Sequence, residues 1–298
     1  MNRLILLLVL VVAIPFVGNA QRKRAFLVGI SDYRTNGYKV WNNIHGAEDI
    51  ALLKPELEKK GFQIQALTNE QATYQGIVHF LDRFISASKK GDIIYLHFSC
   101  HGQPVEDGLK ESSPKGEEAD GWDESLVPID AGMTYQANGY KGEKHITDDE
   151  LSSYILQLRS KIGVQGMLYV AIDACHAGNM EREDYETTRG TNEGLTKNPQ
   201  NKYNPSDMVK RSKAVHGTGL SPVLFVEACE SNQRNQEIRY QGSEYGALSF
   251  NIWQMLNQTT SFPNTLQEFK SKLSNNISSN KNLHNRLWPG TQSAVFEY

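Results

Sequence analysis

Short apolar runs alternate with amphipathic stretches along most of the chain, and this alternation restricts the fold more than any other feature. The runs are continuously apolar, which is typical of strands buried on both faces of a parallel sheet. Helices between such strands cover the two faces. The sequence therefore predicts an α/β fold with a mainly parallel sheet. The predicted strands are Arg24 to Ile30, Gln63 to Leu67, Asp92 to Ser99, Met167 to Ala174 and Val223 to Ala228, with a last one near Ser293 to Phe296.

The predicted helices have recognisable beginnings. Thr147 and Thr265 each open a capping box, with a glutamate three residues later and an apolar stripe behind it. A further helix is predicted from Glu48 to Lys60, but Pro55 lies inside it. Because proline lacks the N–H that a helix interior needs, we expect this helix to kink or to restart there.

The first twenty residues are predicted to be a signal peptide that is removed after Ala20. Arg3 supplies a positive start, and the run from Leu4 to Phe16 is apolar. A membrane anchor is the alternative, but the run is short for a bilayer and a polar stretch follows it. We therefore expect residues 21–298 to be exported, to a periplasm or out of the cell, without stable membrane insertion.

Charge and cysteine content narrow the classes of function. The chain has 31 basic and 34 acidic residues, a net charge of -3. Such a balance gives no general electrostatic basis for nucleic-acid binding. The chain also has 3 cysteines, and an odd number of cysteines cannot all pair within one exported chain. We expect at least one thiol to be kept for chemistry.

Reactive side chains follow two of the predicted strands. One strand ends in SCHG at 99–102 and another in DACHAG at 173–178. Ligands of open α/β sheets bind outside the carboxyl ends of the strands, so these two ends are expected to face the same site. Side chains alternate between the faces of a strand. The pairs that share a face are Ser99 with His101 and Asp173 with Cys175.

This alternation favours a thiol and imidazole pair over a metal site. A zinc site of Cys100, His101, Cys175 and His176 would need adjacent residues to converge on one ion. A pair of Cys175 with His101 needs one residue from each strand end, and the imidazole can take the thiol proton and later protonate a leaving amine. The N–H groups of Gly102 and Cys175 are then the expected oxyanion hole.

In this order the motifs resemble those of the caspase-like cysteine peptidases, and the aspartate two residues before the cysteine is similar to the metacaspase branch. The acidic stretch DGWDESLVPID at 120–130 also resembles the metacaspases. The resemblance extends over nearly all of residues 21–298. It implies a three-layer α/β/α sandwich and a cysteine endopeptidase with His101 as general base and Cys175 as nucleophile. The chain departs from the family pattern at Cys100, usually glycine, and at Ala177, often serine.

The resemblance also implies a specificity. In metacaspases the position of Asp173 binds the arginine or lysine that precedes the scissile bond, and Asp49 and Ser99 match other positions of that pocket. A buried carboxylate needs a cation or several N–H donors, which agrees with such a role. The alternatives are an internal ion pair or backbone cap for Asp173, helix capping for Asp49 and strand packing for Ser99.

No cofactor is required for this chemistry, but several metacaspases are activated by calcium. The acidic loop offers Asp120, Asp123 and Glu124 as candidate Ca²⁺ ligands, with Asp107 a weaker one. Carboxylate clusters suit such a hard cation. A solvated acidic loop without a metal is the alternative.

We divide residues 21–298, a single catalytic domain, into a larger part at 21–178, a polar linker at 179–222 and a smaller part at 223–298. The linker carries several basic residues, so an enzyme that cleaves after arginine or lysine would find substrates there. Self-cleavage is the hypothesis, with Arg189, Lys210 and Arg211 as candidate sites, and a flexible insertion is the alternative.

The expected partners are protein or peptide substrates, with no nucleic acid, and the chain is expected to be a monomer. Two other functions stay open at this point. One is an inactive protein-binding module on the same fold. The other is a thiol amidase that uses the same pair on a small molecule.

Overall fold

A six-stranded sheet forms the middle of the molecule. The structure, a computed structural model, describes residues 21–33, 41–110, 120–175, 188–204, 217–229, 235–280 and 295–297. The predicted signal peptide, residues 1–20, lies outside them. The strands are β1 (Lys23–Gly29), β2 (Phe62–Thr68), β3 (Ile93–Ser99), β4 (His101–Glu106), β5 (Trp122–Val127), β6 (Ile146–Thr147), β7 (Met167–Asp173), β8 (Val223–Glu227), β9 (Glu237–Tyr240), β10 (Ser243–Gly246) and β11 (Val295–Glu297).

The large sheet has the strand order β11-β8-β7-β3-β1-β2. Its first five strands in the chain are parallel, whereas β11 pairs antiparallel with β8. All six strands predicted from apolar runs are therefore present. Two antiparallel sheets lie beside it, β4-β5-β6 and β9-β10.

Within the described residues, five α-helices cover the sheet: α1 (Gly46–Lys59), α2 (Tyr74–Ala87), α3 (Asp148–Ile162), α4 (Ala247–Asn257) and α5 (Leu266–Ser279). The side chains of β1 alternate between two cores, with Phe26 and Val28 in one and Ala25 and Leu27 in the other. Buried residues of α2 and α3 fill the first core, and those of α1, α4 and α5 fill the second. The three-layer sandwich is thus confirmed.

The helix beginnings follow the predicted caps, and the restart considered at Pro55 does not occur. Thr147 and Thr265 accept hydrogen bonds from backbone N–H groups of the first turn, at 3.4 Å and 3.1 Å. The helix α1, however, runs from Gly46 to Lys59 with Pro55 inside it and neither stops nor restarts. Ala51, whose carbonyl loses its partner, is exposed, as is Pro55. Water can therefore satisfy that carbonyl.

No helix among the described residues has both the length and the apolar character needed to cross a bilayer.

Candidate active site

The two reactive strand ends lie side by side. β3 pairs with β7 in parallel, and Ser99 is in register with Asp173. His101 begins β4 two residues after β3 ends at Ser99. Cys175 lies two residues after the end of β7. Both His101 and Cys175 are buried. His176, Ala177 and the following residues to 187 lie outside the described residues.

His101 is held as a neutral base. Its Nε2 lies 2.7 Å from the backbone carbonyl oxygen of Asn42, and a carbonyl can only accept, so Nε2 carries the proton. Nδ1 has no hydrogen-bond partner among the described residues. The ring packs between Trp41 and Tyr33, with centroids at 5.0 Å and 4.8 Å. Burial lowers the pKa of His101 to about 4, so the imidazole is uncharged at neutral pH with Nδ1 available as acceptor.

The backbone of Arg189 occupies the space between these strand ends. Its carbonyl oxygen accepts hydrogen bonds from the N–H of Cys175 at 2.9 Å and from that of Gly102 at 3.3 Å. These are the two donors predicted to form the oxyanion hole. On one side Thr188 pairs antiparallel with Gln236, and on the other Gly190 bridges both Gly102 and Cys175. The backbone is therefore paired on both sides of Arg189, which itself lies at a bend.

The side chain of Arg189 enters a buried acidic pocket. Nη1 lies 2.8 Å from Asp49 Oδ2 and 3.7 Å from Asp173 Oδ1. Nη1 also donates to Ser99 Oγ at 2.5 Å, and that hydroxyl donates to Asp49 at 2.7 Å. The structure thus brings together the three residues predicted to bind a basic side chain.

Two further residues, which the sequence did not point to, complete this pocket. Arg189 Nη2 lies 2.7 Å from Glu237 Oε1. The backbone N–H of His45 donates to the same oxygen at 2.7 Å, and His45 Nδ1 lies 2.5 Å from the other. No local pattern marks Glu237, because it begins the short strand β9 in a region without apolar periodicity.

The pocket wall has no side chain at Gly246. A Cβ there would lie 2.2 Å from Asp173 Oδ2 and 2.6 Å from Arg189 Cζ. The backbone N–H of Gly246 donates to Asp49 Oδ1 at 2.9 Å. A glycine is needed at this position because the guanidinium uses the space that a methyl group would fill.

Asp173 is fixed by donors from two other elements. Asn235 Nδ2 donates to Oδ1 at 2.7 Å, and Ser249 donates to Oδ2 through its N–H at 2.8 Å and its hydroxyl at 2.6 Å. Burial alone would raise the pKa of Asp173, but Arg189 and these hydrogen bonds outweigh it and lower that pKa. Asp173 is therefore charged, and its orientation is set before any cation binds.

The pocket has more negative charge than the guanidinium of Arg189 can balance. Burial raises the pKa of Asp49 to about 7, against the opposing effect of Arg189. The pKa of Glu237 is lowered, because Arg189 and His45 outweigh its burial. The three carboxylates raise the pKa of Arg189 despite its burial. Without Arg189 the pocket would be strongly acidic, an environment that selects a cation.

None of the three cysteines, all in the described part, is in a disulfide. Cys100 and Cys229 are buried close to the ends of β3 and β8. Burial raises the pKa of the Cys100 thiol to about 12. Cys229 is in contact with Cys175, and its hydrogen bond with Cys175, together with burial, raises its own pKa.

The three candidate Ca²⁺ ligands, Asp120, Asp123 and Glu124, are not brought to one point in the described part of the chain. Asp123 and Glu124 are neighbours on β5 and so point to opposite faces, and Asp120 Oδ1 accepts the N–H of Trp122. Within the described residues, the group whose ligand atoms lie within 4.8 Å of one another is His45, Glu237 and Glu244. Calcium binding by the acidic loop therefore stays a prediction, and no reaction step is assigned to calcium.

Of the three candidate sites of self-cleavage, the structure describes one. Arg189 lies at the strand ends, whereas Lys210 and Arg211 are outside the described residues. Part of the predicted linker is thus packed against the site, with Arg189 and Leu195 buried. The proposed boundaries at 178 and 222 stay a prediction.

Comparisons with known proteins agree with this architecture. The family model described as "Caspase domain" matches residues 22–294. Metacaspase III c of Phaeodactylum tricornutum is 30% identical over 174 residues, covering 57% of this chain and 42% of that protein. Metacaspase-1 of Mycosarcoma maydis is 22% identical over 277 residues, covering 80% and 63%. This chain thus spans less than two thirds of the length of each of these relatives.

Solved structures show the same fold. A protein from Geobacter sulfurreducens matches with a TM-score of 0.58 at 18% identity over 92% of both chains. Caspase-1 from Spodoptera frugiperda matches with a TM-score of 0.50 at 11% identity, over 93% of this chain and 86% of that one. Metacaspases are among the relatives of this chain. Because the family model matches almost the whole length of the chain, this chain belongs to the caspase-domain family.

Proposed function

We propose that this chain is a cysteine endopeptidase that cleaves peptide bonds after basic residues, arginine above all, and that its first substrate is its own Arg189–Gly190 bond. The observation that carries the proposal is the position of Arg189. Its guanidinium lies in the acidic pocket while its carbonyl oxygen accepts from both Cys175 and Gly102. An arginine that served only as counter-ion for the buried carboxylates would not need its carbonyl at that point.

The proposed reaction begins with proton transfer from the Cys175 thiol to Nδ1 of His101. The thiolate attacks the carbonyl carbon of Arg189, and the N–H groups of Cys175 and Gly102 stabilise the resulting oxyanion. The imidazolium protonates the nitrogen of Gly190, the C–N bond breaks, and a thioester remains on Cys175. Water then attacks the thioester, giving its proton to His101, and the carboxylate of Arg189 and the thiol are released.

The backbone pairing on both sides of Arg189 supports a peptide as the substrate class. Backbone partners lie on both sides of Arg189, at Gln236 and at Gly102. A small-molecule amidase would have no use for them. The reactive residues together with an acidic pocket also support an enzyme over an inactive binding module.

The proposal is tested with the wild type and Cys175→Ala, purified and followed by intact mass. We expect the wild type to convert to fragments that end at Arg189 and begin at Gly190, and Cys175→Ala to stay whole. Cys100→Ala is the matched control, since Cys100 is a buried thiol that packs in the core, and it should be processed like the wild type. Identical fragments from wild type and Cys175→Ala would remove self-cleavage from the proposal.

Specificity is tested with fluorogenic peptides that end in Arg, Lys, Asp or Asn, each with and without calcium. Turnover should be confined to Arg and Lys. The calcium arm tests the separate expectation that the acidic loop makes activity depend on that ion. Turnover after Asp alone would rule out the role of the acidic pocket.

A further inference from the structure

The residues after Arg189 lie along the outer edge of β4. This strand pairs with β5 on one side, and on its other side Gly102 bridges Gly190 and Val105 bridges Leu195 in parallel. Thr191 N donates to Gly102 O at 3.2 Å, and Leu195 N donates to Pro104 O at 2.8 Å. Segment 190–195 therefore follows the edge of β4 through two isolated bridges, with residues 191–194 bulging between them, and it begins at the bond proposed to be cut.

The first position of this segment accepts only glycine. A Cβ on Gly190 would lie 1.7 Å from the carbonyl oxygen of Cys175 and 3.0 Å from that of Gly102. Both are backbone atoms of the site itself, so they cannot move aside as a flexible side chain would. The close approach is the same one that puts the Arg189 carbonyl oxygen within hydrogen-bond distance of Cys175 N.

Positions further along the segment are also restricted. A Cβ on Gly194 would lie 2.2 Å from the ring of Trp122. The side chain of Leu195 is buried in the core, and Thr191 is buried as well. By contrast, Asn192 and Glu193 are exposed, and Glu193 is held through its carbonyl oxygen, which accepts from Gln103 Nε2 at 2.8 Å.

The basic residues of the linker differ in the identity of their next neighbour along the chain. The candidates between 179 and 221 are Arg182, Arg189, Lys197, Lys202, Lys210, Arg211 and Lys213. Among these, only Arg189 has glycine as the next residue. An acidic pocket by itself does not distinguish several basic residues of one segment. A site that excludes any side chain on the residue directly after the scissile bond does distinguish them.

We propose that the edge of β4 is a binding site for the residues after the scissile bond, and that it selects Arg189 for self-cleavage because glycine comes next. The site takes a peptide segment with glycine first and with glycine and leucine at its fifth and sixth positions. The inference rests on the proposed peptidase function and adds a second determinant of specificity, on the far side of the cut from the acidic pocket.

The test compares self-cleavage of the wild type, Gly190→Ala and Asn192→Ala. We expect Gly190→Ala to cut at Arg189 at least tenfold more slowly, and Asn192→Ala, whose side chain is exposed, to match the wild type. An arginine aminocoumarin amide, which has no residue after the cut, is given to the processed wild type and reports on the acidic pocket and the reactive pair without the β4 edge. Cleavage of Gly190→Ala at the wild-type rate would overturn the β4 site.

A second experiment does not depend on whether the Gly190→Ala chain folds. Wild-type enzyme is given internally quenched peptides TTRGTNEGL and TTRATNEGL, and we expect kcat/KM at least tenfold lower for the second. Equal rates would overturn the β4 site while leaving the peptidase proposal in place. No turnover of either peptide or of the arginine amide would overturn the peptidase proposal itself.

Discussion

The two terminal nitrogens of Arg189 have separate partners in the pocket. Nη1 lies against Asp49 and Ser99, whereas Nη2 lies against Glu237. A lysine has a single nitrogen and cannot occupy both places at once. Glu237, held by His45, is therefore expected to favour arginine over lysine.

We predict that Glu237→Gln lowers kcat/KM for arginine peptides about tenfold or more, with a smaller loss for lysine peptides, because a charge-assisted hydrogen bond is lost at Nη2 only. The measurement is the ratio of kcat/KM for paired Arg and Lys peptides. Glu244→Gln is the control, since Glu244 lies 3.6 Å from His45 Nδ1 and forms its own ion pair with Arg239 at 2.6 Å. An unchanged ratio in Glu237→Gln would contradict the prediction.

Residue patterns alone reach only part of this site. His101, Cys175, Asp173, Ser99 and Asp49 could be named because they stand in motifs at the ends of apolar strands. Glu237 and Gly246 could not, because their importance comes from the guanidinium between them and not from any local sequence signal.

Among the elements, α1 shows how tertiary burial overrides a local rule. Its inner face packs Ile50, Leu53 and Leu57 into the core, while Pro55 faces solvent. The buried face outweighs the missing hydrogen bond, so the helix continues through the proline.

We predict that Pro55→Ala raises the free energy of unfolding by about 1–2 kcal/mol, because it restores the N–H that bonds to the carbonyl of Ala51. This figure already subtracts the conformational entropy that the unfolded chain regains without proline. Chemical denaturation at pH 7.5 measures the free energy of unfolding. Lys54→Ala, a neighbouring exposed position, is the control and should change it by less than about 0.5 kcal/mol. Destabilisation by Pro55→Ala would contradict this account of α1.

At the scale of the whole molecule, three buried histidines make stability depend on pH. Burial lowers the pKa of His97 to about 4, of His101 to about 4 and of His145 to about 3, from 6.5. Each of these histidines is neutral in the folded state. Its contribution to the free energy of unfolding is therefore complete above pH 6.5 and is lost as the pH falls towards 4. Asp49, with a pKa raised to about 7, acts in the opposite sense over a similar range.

Near pH 5 the three histidines bind about three protons in the unfolded chain only, and Asp49 binds about one in the folded chain only. Unfolding therefore takes up about two protons. We therefore predict that the free energy of unfolding decreases by about 2–3 kcal/mol per pH unit there. Guanidinium titrations at pH 6.5, 5.5 and 4.5, at constant ionic strength, measure this slope. A free energy that is constant or rises on acidification would show that these histidines can be charged within the fold.

Export also belongs to this scale and stays a prediction. Removal of residues 1–20 would leave two residues before β1, which begins at Lys23. N-terminal sequencing of the chain expressed with its own leader in an exporting host should find Gln21 first. A mature protein that begins at Met1 and fractionates with membranes would favour the anchor alternative.

Periodicity and motif order were sufficient for the sheet, its layers and the meeting of the two reactive strand ends, because these depend on local patterns and on the geometry of parallel strands. Periodicity and motif order could not show which of the three candidate cleavage residues fills the site. Arg189 comes from a polar segment with no periodicity, and it is held there by carboxylates from α1, β7 and β9. The free energy of a buried ion cluster depends on distances between elements far apart in the chain, and only the folded molecule sets those distances.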